Sequence, residues 1–156
     1  MSFTNSNDTL TGRAPVVTPA GAEIIASRFT IALPVGDLAL NTIGQIGVLP
    51  AGCVPVDVRV DGSDMDSGAG AAVFQVGVLD AAGTAFSTAA ADGGGVWGDT
   101  STAVATAFDK PLTRTLNNMA TVTAAATDRK IGIKVATAPS TAVAGTIGLT
   151  LFYRAA

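Results

Sequence analysis

The chain of 156 residues contains no histidine, one cysteine (Cys53) and one glutamate (Glu23). Without histidine, the chain by itself cannot form a Ser–His–Asp or Cys–His catalytic centre or a histidine-ligated zinc site. A single cysteine excludes a disulfide within the chain, and no lysine stands beside Cys53 to activate its thiol. We therefore expect a protein that is not an enzyme and needs no metal or other cofactor.

Charge is also scarce. Charged residues make up 13% of the chain, against about 25% in typical soluble domains. The net charge is −3 and the nine Lys and Arg residues are scattered, which argues against nucleic acid as the main partner. The first eight residues lack the basic and apolar regions of a signal peptide, and no run of apolar residues is long enough to span a membrane. The sequence favours a protein that folds in a cytoplasm, with neither nucleic acid nor a membrane as its partner.

Apolar residues alternate with polar or small residues in several short segments, as in half-buried β-strands. Every second residue from Ile25 to Leu33 is apolar or small, and four valines from Val54 to Val60 alternate with Pro55 and charged residues. Residues 131–135 and 147–153 predict a terminal hairpin. About six to eight such strands indicate an all-β single domain, either a β-sandwich or a jelly roll. Its expected core comprises Val54, Val56, Val58, Val60, Phe74, Val76, Val78, Ile133, Leu149 and Leu151.

Residues 1–21 precede the first predicted strand and have no periodic pattern. We interpret them as an extended N-terminal arm, followed by the β-sandwich domain over residues 22–156; a frayed terminus is an equally good interpretation. Pro15 and Pro19 would keep the arm extended. An extended arm can cross to a neighbouring subunit and insert isolated side chains into pockets. The apolar residues that predict partner contacts in this arm are Phe3, Leu10, Val16 and Val17.

Residues 61–68 form an acidic, glycine-containing loop that invites comparison with a calcium site. Oxygen-rich loops bind calcium, but this one lacks EF-hand spacing and a closing glutamate. We therefore interpret Asp61, Asp64 and Asp66 as solvated residues of a turn.

Trp97 lies in a glycine-rich segment, residues 93–98. Tryptophan is enriched at binding hot spots, so Trp97 is a further candidate partner contact. The alternative, in which Trp97 covers the edge of its own core, is at least as good an interpretation.

Three segments carry a resemblance to a known family: residues 49–57 (LPAGCVPVD), 127–135 (TDRKIGIKV) and 144–154 (AGTIGLTLFYR). Together they resemble small structural proteins of tailed bacteriophages, in particular head decoration (cement) proteins. The resemblance implies a β-sandwich or jelly-roll subunit that is made in the host bacterial cytoplasm and forms a homo-oligomer, a dimer or trimer. It also implies a place on the capsid exterior, where the subunit bridges neighbouring major capsid proteins. The apolar arm predicts that contact.

Two other functions stay open. A tail or fibre component of the same virion would share the strand-rich composition. A carbohydrate- or cell-surface-binding β-sandwich would use Trp97 as its stacking residue, although no second aromatic residue stands near it in sequence. An esterase or nuclease lacks its catalytic residues here.

Overall fold

The computed structural model describes residues 2–68, 70–100, 107–114 and 118–156, the side chain of Arg114 excepted. None of the helices in these ranges is long and apolar enough to cross a membrane. Short 3-10 helices occupy Val35–Leu38, Ala90–Asp92 and Met119–Thr121. The strands in the described ranges are β1 (Ile24–Leu33), β2 (Ile43–Leu49), β3 (Cys53–Gly62), β4 (Val73–Val78), β5 (Val96–Asp99), β6 (Phe108–Pro111), β7 (Thr113–Arg114), β8 (Arg129–Thr137) and β9 (Gly145–Ala155).

These strands form two antiparallel sheets that pack face to face. The front sheet has the strand order β1-β9-β3-β6, and the back sheet has the order β2-β8-β4-β5-β7. Their inward side chains make one core, which includes Phe29 and Leu149 from the front sheet and Val76 and Ile133 from the back sheet. The alternation predicted for Ile25–Leu33 is seen in β1, where Phe29, Ile31 and Leu33 are buried. The predicted all-β sandwich is therefore confirmed.

The predicted terminal hairpin is wrong. β8 lies between β2 and β4 in the back sheet, whereas β9 lies between β1 and β3 in the front sheet. Residues 138–144 thus cross from one sheet to the other instead of making a tight turn. Both strands have apolar inward faces, so either arrangement would satisfy their alternation. Burial between two sheets and pairing on both sides decide for the crossover.

The prediction that all four valines of β3 are buried is half right. Val58 and Val60 are buried, but Val54 and Val56 are only half-buried. The register of β3 against β9 shifts between Pro55 and Asp57, which is a β-bulge at Val56. A bulge adds one residue and so moves all preceding side chains to the opposite face. The other eight predicted core residues are buried: Val58, Val60, Phe74, Val76, Val78, Ile133, Leu149 and Leu151.

Candidate interaction surface

The N-terminal arm lies against its own sandwich, along the side where the edge strands β1 and β2 approach each other. Residues 2–21 contain neither helix nor strand. The Phe3 ring packs on β2 at Gly44, where a Cβ atom would lie 2.5 Å from both Cγ and Cδ2 of Phe3. Gly44 is directly opposite the buried Ile133 in the ladder, so the two positions share one face of the back sheet. The missing side chain at Gly44 therefore makes the room in which Phe3 reaches the core.

Polar side chains of the arm bind both edge strands. Asn5 Nδ2 donates to the Ala32 carbonyl of β1 at 2.7 Å, and Asn7 Nδ2 donates to the Ile46 carbonyl of β2 at 2.8 Å. The backbone N–H and the hydroxyl of Thr4 donate to the Asp37 carboxylate at 2.7 and 2.8 Å. One short segment thus closes the gap between the two sheets.

A second anchor holds the arm near the start of β1. The Tyr153 hydroxyl donates to the Val17 carbonyl at 2.5 Å and also bonds the Ser27 hydroxyl at 2.9 Å. Burial raises the pKa of Tyr153 and the bond to Ser27 opposes that shift, so this hydroxyl remains a donor at neutral pH. Val16 packs on the core, while the Val17 side chain points outward and is 55% exposed.

The four predicted partner contacts of the arm therefore differ in how far their side chains are buried. Phe3 and Val16 pack against their own core, and Leu10 is half-buried. Of the four arm residues named from the sequence, Val17 is the one whose side chain is mostly exposed. The arm follows its own sandwich instead of projecting from it, because Asn5, Asn7 and Tyr153 supply bonds that an apolar pattern does not reveal.

The burial of Trp97 corrects its interpretation as a partner contact. It lies in β5 with 0% of its surface exposed, and its indole N–H donates to the Asp92 carbonyl at 2.9 Å. Buried tryptophans normally find such a partner for the indole N–H. In this fold the ring packs in its own core, the alternative that the sequence left open. It presents no face on which a sugar could stack.

The burial of Asp66 corrects its interpretation as a solvated residue of the acidic loop. Its carboxylate is buried and accepts hydrogen bonds at 2.8–3.1 Å from the backbone N–H groups of Gly68, Ala71, Ser140 and Thr141 and from the Ser140 hydroxyl. The bonds from Ala71 and Thr141 contribute most to holding the pKa of Asp66 far below its usual range. Asp66 thereby ties Gly68 and Ala71 to the crossover between β8 and β9.

Asp61 is also engaged. It pairs with Arg28 across the outer face of the front sheet, and the hydrogen bond to Asp61 raises the pKa of the Arg28 guanidinium. The pair reaches over β9 at Gly148, where a Cβ atom would lie 2.7 Å from both partners. Within the residues that the structure describes, no group of three or more Asp, Glu or Cys is arranged to hold a metal ion.

Exposed apolar side chains occur at both ends of the sandwich. Val17 and Ile24 lie where β1 begins, and we call them the arm-end patch; Ile24 is 57% exposed. Ile25, the neighbour of Ile24, pairs with Tyr153, which in turn binds the Val17 carbonyl. At the opposite end, Val35, Leu40 and Val143 are exposed in the connections that follow β1 and precede β9. Val35, Leu40 and Val143 were not singled out from the sequence, since isolated apolar residues in loops carry no periodic signal.

No protein-family model and no curated protein matches the chain. Among solved structures, a chain from the capsid of Ralstonia phage GP4 is 27% identical, with a TM-score of 0.74 over 97% of this chain and 97% of that chain. A chain from the capsid asymmetric unit of cyanophage Pam1 is 20% identical, with a TM-score of 0.48 over 91% of this chain and 94% of the other. The end-to-end likeness to the Ralstonia phage capsid chain supports a structural protein of the virion, related to phage capsid proteins.

Proposed function

We propose that this protein is a capsid decoration (cement) protein that binds the outside of a phage head and bridges neighbouring major capsid proteins. The observation that carries the proposal is the likeness to the Ralstonia phage GP4 capsid chain, which extends over 97% of both chains. The two chains are therefore of nearly equal length, and the match is between whole subunits. A small subunit of this kind is suited to an accessory position on a shell.

The surface of the sandwich fits this role. Charged residues are few, and the Arg28–Asp61 and Arg59–Asp109 pairs neutralise charges on the outer face of the front sheet. Such a surface loses little solvation energy when it packs against protein, because few unpaired charges must be dehydrated. A homo-oligomer would engage several capsid subunits at once and gain avidity without new contacts.

We place the head contact at the arm-end patch, Val17 and Ile24. Both side chains are more than half exposed; Val17 is held by the bond from Tyr153 to its carbonyl, and Ile24 is the first residue of β1, opposite Arg154. Large apolar side chains that are held in place on a surface lose little conformational entropy on binding. The arm thus remains the proposed contact, but through its outward-facing Val17 and not through Phe3, Leu10 or Val16.

The test is co-sedimentation with expanded, closed heads that lack this protein. The wild-type protein should bind stoichiometrically, and only the exterior of a closed head is accessible to added protein. The Val17→Asp/Ile24→Asp variant should bind at least tenfold more weakly, a loss of about 1.4 kcal/mol. The matched control, Leu40→Asp/Val143→Asp, changes two exposed residues at the opposite end and should bind normally.

Each other outcome is decisive. If the control variant loses binding instead, the contact lies at the opposite end of the sandwich. If the folded wild-type protein binds tails and not heads, it is a tail component. Absence of binding to either particle would overturn the proposed function.

A further inference from the structure

A short loop, residues 79–86, covers part of the outer face of the back sheet, the face turned away from the core. Gly77 of β4 lies opposite Gly132 of β8, and neither has a side chain that would hold the loop off the sheet. An added Cβ atom at Gly77 would lie 3.0 Å from Cδ1 of Phe86, and one at Gly132 would clash with Leu79. The loop therefore forms a second, smaller apolar layer on this face.

A small cavity of about 210 Å³ lies between this loop and the start of β2. Ile43 of β2 is directly opposite Lys134 of β8, so both side chains lie on the outer face. Clefts for drug-sized ligands measure about 300–1,000 Å³, so this cavity suits one amino-acid side chain and is too small for an oligosaccharide. Its lining includes Asn41, Ile43, Thr84, Phe86 and Lys134.

Lys134 supplies a positive charge to the cavity. Its side chain is half-buried, yet within the described residues its ammonium group has neither a hydrogen bond nor an ion pair. Arg59 and Arg129, which are also half-buried or buried, each pair with a carboxylate. A charge that is partly removed from water without a counter-charge costs free energy. An anion bound beside Lys134 would offset that cost.

Asn41 adds a neutral donor to the same cavity. In the part of the chain that the structure describes, it is the one residue other than glycine with a positive φ, 65°, a conformation that asparagine tolerates. Its backbone N–H donates to the Val135 carbonyl at 2.9 Å, which fixes its position next to Lys134. Its side-chain amide has no hydrogen-bond partner among the described residues. The amide can therefore bind a ligand without losing an existing bond.

The loop itself supplies no counter-charge to Lys134. Its acidic residue, Asp80, accepts hydrogen bonds from the backbone N–H groups of Thr84 and Ala85 at 2.9 and 3.4 Å. The Asp80 carboxylate is thus occupied within the loop. The negative charge that would pair with Lys134 has to come from another molecule.

We propose that this cavity binds a single carboxylate group carried on a short aliphatic chain, either the end of a glutamate side chain or a small free acid. The carboxylate pairs with Lys134 and accepts from the Asn41 amide, while the aliphatic part contacts Ile43 and Phe86. Hydrogen bonds between ionised groups are roughly twice as strong as neutral ones, so the charge of the ligand sets the selectivity. The inference does not depend on the arm-end patch, which lies elsewhere on the sandwich.

The first experiment titrates the protein with butyrate and follows its backbone amide signals by NMR. Butyrate should bind saturably and shift the signals of residues 41–43, 84–86 and 134. Butyramide, which has the same skeleton without the charge, should bind at least tenfold more weakly, and so should butyrate to Lys134→Gln. Lys130→Gln is the matched control: Lys130 lies on the same face of β8, but its ammonium group already donates to the Ala81 carbonyl. This variant should bind butyrate as the wild-type protein does.

The second experiment distinguishes the two sources of the carboxylate by co-sedimentation with the heads used above. If the ligand is an acidic side chain on the head, Lys134→Gln should weaken head binding, Lys130→Gln should not, and excess butyrate should compete with the wild-type protein. If both variants bind heads normally and butyrate does not compete, the ligand is a free acid.

Three results would overturn the inference: no saturable shift with butyrate, equal binding of butyramide, or equal binding of butyrate by Lys134→Gln and the wild-type protein. If Lys134→Gln does not fold, the comparison of butyrate with butyramide on the wild-type protein decides alone. A protein that binds butyrate but no heads would refute the proposed function and leave this inference standing.

Discussion

Replacing Phe3 with alanine tests whether the N-terminal arm is part of the folded sandwich. The sequence alone predicts an extended arm that contacts a partner, so that deleting residues 1–21 would barely change the melting temperature. The structure instead packs the Phe3 ring on Gly44 and against the core. We therefore expect Phe3→Ala to destabilise the whole domain, although residue 3 lies 21 positions before the start of β1 at Ile24.

The expected magnitude follows from the burial of the ring. Removing a fully buried phenylalanine side chain costs about 3–5 kcal/mol. Phe3 is only partly buried, so the loss should lie below that range, at about 1.5–2.5 kcal/mol. In a domain of this size, each kcal/mol lowers Tm by roughly 2–4 °C, which gives a decrease of about 3–10 °C. The loss cannot exceed the free energy with which the arm is docked, since an arm that detaches loses all its contacts at once.

A double-mutant cycle with Gly44 separates docking from a general effect on stability. Gly44→Ala introduces a Cβ atom 2.5 Å from the Phe3 ring and should displace it. In the Phe3→Ala background the ring atoms are gone and the Cβ atom of residue 3, 2.8 Å away, is the remaining close neighbour, so the cost of Gly44→Ala should fall by at least about 0.5 kcal/mol. Gly36→Ala, where a Cβ atom has no neighbour within 4 Å, is the matched control. Urea denaturation measures all four corners of the cycle. An unchanged midpoint for Phe3→Ala, or strict additivity with Gly44→Ala, would refute the docked arm.

Three further predictions concern the sandwich itself. The folded-state pKa of Asp66 lies below the unfolded value of about 3.9, so its stabilisation is complete above about pH 5 and is lost as the pH falls further; urea midpoints should therefore drop in acid, and Asp66→Asn should flatten that drop while lowering the midpoint at pH 7. Asp80, whose pKa is also lowered, chiefly by its hydrogen bond from the Thr84 N–H, should contribute a smaller part of this loss of stability in acid. Val58→Asp places an unpaired charge in the core, where Val58 is 1% exposed, and should unfold a domain stabilised by about 5–15 kcal/mol; a soluble, cooperatively melting variant would contradict the assignment of β3. Scanning calorimetry with EDTA and with millimolar calcium should give one Tm, because N–H and O–H donors already occupy the Asp66 oxygens; a rise with calcium would show a metal site.

The candidate surface was predictable only in part. The apolar residues of the arm stand out because the segment has no other pattern, and the structure shows where each of them lies. Asn5, Asn7 and Asp37 carry no comparable signal, since polar residues are ordinary both in an N-terminal segment and in a short connection such as Val35–Leu38. The bonds that they make depend on edge strands that come from distant parts of the chain.

Trp97 and Asp66 show the same limit from the opposite direction. A tryptophan in a glycine-rich segment and an aspartate in a glycine-containing loop both have the local sequence of exposed residues. Trp97 is buried because the Asp92 carbonyl is in position to accept its N–H. Asp66 is buried because the crossover residues Ser140 and Thr141 supply donors from 74 and 75 positions away.

The sequence by itself determined the strands and their inward faces, because the alternation of side chains in a β-strand is a local property with a period of two. It therefore identified the core positions of β1, β4, β8 and β9, together with the all-β class. Sheet membership, the bulge at Val56 and the position of the arm were decided only by the tertiary structure. Each depends on which distant backbone and side-chain groups meet, and two strands with the same apolar face fit either sheet until all hydrogen bonds and the shared core are satisfied together.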